Sequence, residues 1–217
     1  MFWRFSNAYG LLVVVLVTLA VGVIAWRFAF FVAPFEWTGE PARLARVLGL
    51  RPGMQIADIG AGSGALAVAM ASFVGGTGHV YATEVVPERR AAIERRVSRG
   101  SLRNVDAVTA GEASTRLPDS CCDAVYMRAV FHHIADRSTF AADVARALRP
   151  GGRVGVIDFA PGTLWFHGAD HGVQPDSVLR AFQATGLRLR ERADDWGGGM
   201  FLFVFERNAE PASVSPQ

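Results

Sequence analysis

Apolar and polar positions divide this chain into two regimes. From Ala8 to Trp26 nineteen residues carry no charge and are dominated by Leu, Val and Ala. A run of that length matches the ~20 apolar residues needed to cross a bilayer. Trp3 and Phe5 before it, and Trp26, Phe35 and Trp37 after it, suit the two interfaces. The run is too long for the apolar core of a signal peptide, and no persuasive small-x-small cleavage site follows it. A retained membrane anchor is therefore expected over residues 1–35, as one N-terminal transmembrane helix.

Beyond it, short apolar blocks alternate with amphipathic segments. Leu44, Val47 and Leu48 fall at helical spacing after Glu40, and Arg51-Pro52-Gly53 stops that helix. Strands are expected at 54–59, 79–84, 105–109, 122–127, 153–159, 187–193 and 201–205, and further helices at 65–73, 87–98, 136–148 and 175–185. Pro87 can open its helix because the first turn has no use for the missing amide. Strands alternating with helices imply an α/β, Rossmann-like architecture: a mainly parallel seven-stranded sheet with helices on both faces, over residues 36–207. Residues 208–217 form a polar tail. Ligands of such sheets lie beyond the carboxyl ends of the strands.

One of those ends is unusual. Ala57-Asp58-Ile59 runs into Gly60-Ala61-Gly62-Ser63-Gly64 and then a helix. Glycines there permit tight turns and close approach of a ligand, and the helix start offers free amides. The spacing is G-x-G-x-G with an acid two residues ahead, which departs from the dinucleotide G-x-G-x-x-G.

Composition narrows the classes. The 217 residues suffice for one α/β domain and an accessory segment. All 22 basic side chains are arginine and face 20 acids, so the net charge of +2 leaves no electrostatic footprint for nucleic acid. Cys121 and Cys122 are adjacent and provide neither a zinc spacing nor a disulfide framework; a reducing compartment fits them best.

From about Arg43 to Arg207 the chain resembles a class I S-adenosylmethionine-dependent methyltransferase of the ubiquinone/menaquinone-methyltransferase-like, small-molecule branch. Four motifs carry the resemblance in order: Asp58 to Gly64, Glu84 at the second strand's end, Gly111-Glu112-Ala113, and Leu117-Pro118-Asp119 leading into Cys122-Asp123. Leu148-Arg149-Pro150-Gly151-Gly152 matches the family's turn into its fifth strand. The resemblance implies S-adenosyl-L-methionine as cofactor. Asp58 would face its amino acid end, Gly60, Gly62 and Gly64 would underlie it, Glu84 would take the ribose hydroxyls, and Glu112 would approach the adenine. A carboxylate suits the ribose because it only accepts and can receive two O–H donors. Glu112 stands where aspartate is more usual.

The segment Met127-Arg128-Ala129-Val130-Phe131-His132-His133-Ile134 borders the methyl-transfer site in the family. Arg128, His132 and His171 are therefore the expected acceptor-side residues, with a histidine able to act as base because its pKa lies near neutrality. Asp158, Phe159, His167, Asp170 and His171 form a second candidate group at and beyond the end of the fifth strand, where Trp165 and Phe166 would wall an apolar substrate. Their spacing matches no compact metal motif, and methyl transfer needs no metal. The expected function is methyl transfer to a small lipophilic acceptor, a quinone-like ring or a phospholipid headgroup. The alternative is a membrane-tethered, non-catalytic S-adenosylmethionine-binding scaffold. The anchor implies a single-pass protein of the inner or plasma membrane. Its domain is expected on the cytoplasmic face, where this cofactor is made. Nothing in the sequence fixes the oligomeric state.

Overall fold

The computed structural model describes residues 15–23, 39–163 and 171–209. The chain forms two compact units, residues 1–38 and 39–217. In the first, residues 15–23 are helical and exposed. Among the described residues no helix is long and apolar enough to cross a membrane; the other parts of the expected anchor lie outside them.

The second unit carries α1 (Glu40–Leu48), β1 (Gln55–Ile59), α2 (Ala65–Val74), β2 (His79–Glu84), α3 (Pro87–Arg99), β3 (Val105–Thr109), β4 (Cys122–Arg128), α4 (Arg137–Ala147), β5 (Leu148–Phe159), α5 (Pro175–Gln183), β6 (Arg188–Gly197) and β7 (Met200–Glu206). A single 3₁₀ turn, Phe131–His133, follows β4. Pro41, Pro87 and Pro175 all open helices. Asp136 lies just outside α4 as its cap, accepting from the Thr139 amide at 3.0 Å.

The sheet order is β3-β2-β1-β4-β5-β7-β6. It is a mixed sheet, which corrects the expected mainly parallel one: β1 to β5 pair in parallel, but β7 runs antiparallel to both β5 and β6. The physical reason is the connection. Only Gly198 and Gly199 separate β6 from β7, and so short a link joins antiparallel neighbours, whereas parallel strands need a long crossover. β6 also runs to Gly197 rather than 193. As an edge strand it needs no apolar face, and its polar residues continue the pairing; Arg188 and Arg190 join Arg153 of β5 around Glu206 of β7.

The central strands are buried on both faces, as near-continuous apolar runs require. Helices α1, α2 and α3 pack on one another over one face, and α4 and α5 over the other. The second layer is the aromatic one. Phe182 of α5 lies 5.1 Å from Phe205 and 5.4 Å from Phe131, ring centre to ring centre. All three rings are fully buried. Phe131 is thus the peg that fixes the 3₁₀ turn carrying the two histidines. Replacing Phe182 by Ala is expected to cost about 3–5 kcal/mol, the usual range for deleting a core aromatic ring, read as a shift in the urea midpoint at unchanged m-value.

Candidate active site

A cavity of about 370 Å³ opens at the carboxyl ends of β1 to β4, a size at the lower end of ordinary small-molecule pockets. Its floor begins at the glycine turn. Gly60 has φ +67°, and a Cβ there would stand 2.6 Å from Val130. Gly64 has φ +76° and would drive a Cβ to 3.1 Å from Ile93. Gly62 shares the left-handed conformation, at φ +56°, but open space surrounds it. Two of the three glycines therefore serve close packing as well as backbone geometry. The Ala61 amide ties the turn to the Thr83 carbonyl at 2.9 Å. Gly64 caps α2 without a side-chain acceptor, so the helix start keeps donors for a ligand.

Glu84 is buried and organises the turn. One oxygen accepts from the Gly62 amide at 2.9 Å and the other from Val85 and Val86 at 2.9 and 3.0 Å. A carboxylate offers about four lone-pair directions. Three are spent on fixing its position, leaving capacity on the cavity side, where Glu84 forms part of the wall.

Asp58 is buried beside Tyr126, its register partner across β1 and β4. Burial pushes its carboxyl up to about 8, the Tyr126 phenol pulls it down, the nearby Glu84 charge pushes it up further, and Arg128 opposes weakly. Asp58 Oδ2 and the Tyr126 hydroxyl lie close enough to interact but do not meet hydrogen-bond geometry, and neither has another partner among the described residues. Unsatisfied buried oxygens call for a partner, and a cationic or N–H-bearing group fits this one. The residues present thus suit a cofactor with an α-ammonium and a ribose: Asp58 for the first, Glu84 for the second, the Gly60–Gly64 turn beneath both.

Glu112 is exposed on the loop after β3; the cavity wall is made instead by Ala110, Gly111, Ser114 and Thr115. That loop is held by Asp143 of α4, which accepts from the Thr115 amide and hydroxyl at 2.7 and 2.6 Å.

The acceptor-side residues separate. Arg128 turns toward α1, where its Nε donates to both oxygens of Glu40 at 3.0 and 3.2 Å. Glu40 also accepts from Trp196 Nε1 at 3.0 Å, and Arg43 stacks 4.1 Å over the Trp196 ring. His132 and His171 do meet, with ring centres 4.7 Å apart. His132 is locked by Asp158, whose oxygens take its backbone amide at 3.1 Å and Nδ1 at 2.8 Å. His133, rather than His132, lines the cavity. Of the second candidate group, Phe159 packs with tilted rings against both His132 and His171, at 4.6 and 5.2 Å, while Trp165, Phe166, His167 and Asp170 lie outside the described residues. Among the described residues no group of three His, Cys, Asp or Glu side chains is placed to hold a metal. Cys121 and Cys122 are buried, free thiols at the opposite end of β4.

Sequence reasoning missed Glu40, Tyr126, Thr115 and Ala129. The last adopts φ +54° beside the cavity, an uncommon conformation for a residue with a Cβ.

The fold is the one found in solved S-adenosylmethionine-dependent methyltransferases, and residues 57–156 match the model of the methyltransferase domain family. Among curated proteins, the ubiquinone/menaquinone biosynthesis C-methyltransferase UbiE of Shewanella halifaxensis is 27% identical over 113 residues, covering 52% of this chain and 45% of that protein. UbiE of Hydrogenovibrio crunogenus is 32% identical over 114 residues, covering 52% and 44%. The aligned region thus spans under half the length of these relatives. Among solved structures, a SAM-dependent methyltransferase from Aquifex aeolicus superposes with a TM-score of 0.69 at 23% identity, over 76% of this chain and 88% of that one. Geranyl diphosphate C-methyltransferase from Streptomyces coelicolor, solved with S-adenosyl-L-homocysteine, gives 0.67 at 15% identity, over 78% and 79%.

Two expectations follow. Because the folded carboxyl of Asp58 holds its proton to about 8 against an ordinary 3.8, its contribution to stability is complete below the lower value and lost as pH rises through the upper one. The cofactor-free wild type should therefore lose stability between those limits relative to Asp58→Asn. Binding of S-adenosylhomocysteine near pH 7 should release a proton from wild type only, seen by calorimetry in buffers of different ionisation heat. Separately, Glu84→Ala should weaken that binding by about 1.5–3 kcal/mol, the scale of hydrogen bonds to a charged partner.

Proposed function

We propose that this protein transfers a methyl group from S-adenosylmethionine to a small lipophilic acceptor, with a quinone-like ring as the leading candidate. The observation that carries the reading is the continuity of the site: Gly60 of the glycine turn and Glu84 line the same cavity as Val85, Val130, Ile134 and Phe140. Likeness to the quinone C-methyltransferases supports the same acceptor class.

The cofactor supplies an electrophilic methyl on a positively charged sulfur. The chain's own residues orient it and exclude water. Glu84 and the glycine turn fix the nucleoside end, Asp58 holds the amino acid end, and the apolar wall dehydrates the acceptor, so that orientation carries most of the rate. Arg128, His132 and His171 are proposed to border the acceptor side, Arg128 as a cation whose charge reaches Asp58. Glu112 is proposed to approach the adenine only by movement of its exposed loop. We further propose that the apolar N-terminal run holds the domain at the cytoplasmic face of the membrane, where such acceptors dissolve.

Detergent-solubilised protein incubated with methyl-labelled S-adenosylmethionine should label a prenylated naphthohydroquinone that has a free ring carbon. Label appearing in no quinone or lipid fraction would remove the activity. Carbonate extraction should leave the full chain with the membranes; its release would remove the anchor.

A further inference from the structure

Resting on the methyl-transfer reading above, we propose that His133 takes a proton from the acceptor, with His132 and Asp158 as positioning residues. The two adjacent histidines are indistinguishable in sequence, and the fold separates them. The 3₁₀ turn, closed by the His133 amide on the Val130 carbonyl at 2.9 Å, turns the His133 side chain to the cavity. His132 goes the other way and is 4% exposed. Asp158 engages the His132 ring at Nδ1, so Nε2 lies on the far side of the ring from it. That Nε2 is buried and has no hydrogen-bond partner among the described residues. His132 is therefore a fixed plate rather than a reaching base. Its ring centre lies 3.9 Å from that of His133 and sets the orientation of the neighbour.

The groups facing His133 are His132, His171 at 6.0 Å between ring centres, Asp158 and Arg89. Burial, then the two histidines, hold its pKa below the ordinary histidine value, with Asp158 opposing and Arg89 adding to the depression. The imidazole is accordingly neutral at pH 7 and able to accept. Arg89, on the same cavity wall, opposes a cationic ammonium headgroup and favours the negative charge that grows on a phenol losing its proton. The apolar wall suits the ring itself.

The step balances as follows. The acceptor's electron pair forms the new bond to the methyl carbon, the carbon–sulfur bond breaks with both electrons remaining on sulfur, and the O–H proton ends on His133. With attack through a ring carbon, that carbon's proton is then lost and the O–H is restored, so one proton leaves in all.

The test uses full-length protein in detergent, methyl-labelled S-adenosylmethionine and the prenylated naphthohydroquinone, with phosphatidylethanolamine vesicles as the competing acceptor. His133→Gln should lower kcat by about 10²-fold or more while S-adenosylhomocysteine affinity, read by calorimetry, stays within about twofold. The acid limb of the wild-type pH–rate profile should disappear in that variant. In Asp158→Asn it should move to lower pH, because the removed carboxylate favours protonated His133. Neither change is expected of a residue that only packs. Wild-type labelling of the hydroquinone with kcat or the acid limb unchanged in His133→Gln would overturn this proposal alone. Labelling of the vesicles and not the hydroquinone would overturn the acceptor class and this proposal together. Should His133→Gln fail to fold, a wild-type profile flat through the histidine range is enough to overturn it.

Discussion

The site depends on one carboxylate. Glu84 accepts three backbone amides, and one of them belongs to Gly62 in a turn twenty-two residues earlier. That bond joins the ends of β1 and β2, so the glycine turn is not a free loop that a ligand must order. Hydrogen bonds to a charged acceptor are worth roughly 1.5–3 kcal/mol each, and here they hold the acceptor at the cavity wall before any ligand arrives. The turn's left-handed backbone, the open helix start and the cavity floor all follow from that fixed point.

A second buried acid has the same logic at the other edge. Glu40 draws Arg128 from β4 and Trp196 from β6, bringing together groups separated by 88 and 156 residues. Its charge is compensated rather than left bare, the condition under which a buried carboxylate is tolerable. Asp58 lacks such compensation and keeps its proton instead. The three acids at the carboxyl edge of one sheet thus meet burial in three ways: by amides, by a guanidinium and an indole, and by remaining neutral.

Much of the fold was legible because the strands are short apolar runs punctuated by glycine and proline, and Asp58, Gly60 and Glu84 announce themselves by position. The composition of β7 does not show its reversed direction, since a buried strand reads the same whichever way it runs; the signal lay in the short glycine link before it. Glu40 read as an ordinary first-turn acid, since nothing local marks a partner at Trp196. His132 and His133 could not be ranked from sequence: the distinction comes from which side of a 3₁₀ turn each occupies, and Phe131 decides that by packing on Phe182. Glu112 was placed by motif, whereas the loop's actual register presents Gly111 and Ser114 to the cavity.

The antiparallel insertion of β7 bears on the order in which the polypeptide can be assembled. β7 is the latest of the described strands in chain order, yet it lies inside the sheet, bonded to β5 along one side and β6 along the other. A nascent chain that has emerged only through β5 presents that strand's open edge, with Val154, Val156 and Ile157 destined for full burial. Unpaired apolar edges are where newly made chains associate wrongly. The hairpin at Gly198 and Gly199 makes β7 available to cover that edge as soon as it clears the ribosome. Chaperone dependence during synthesis should therefore concentrate in the interval between the emergence of β5 and that of β7.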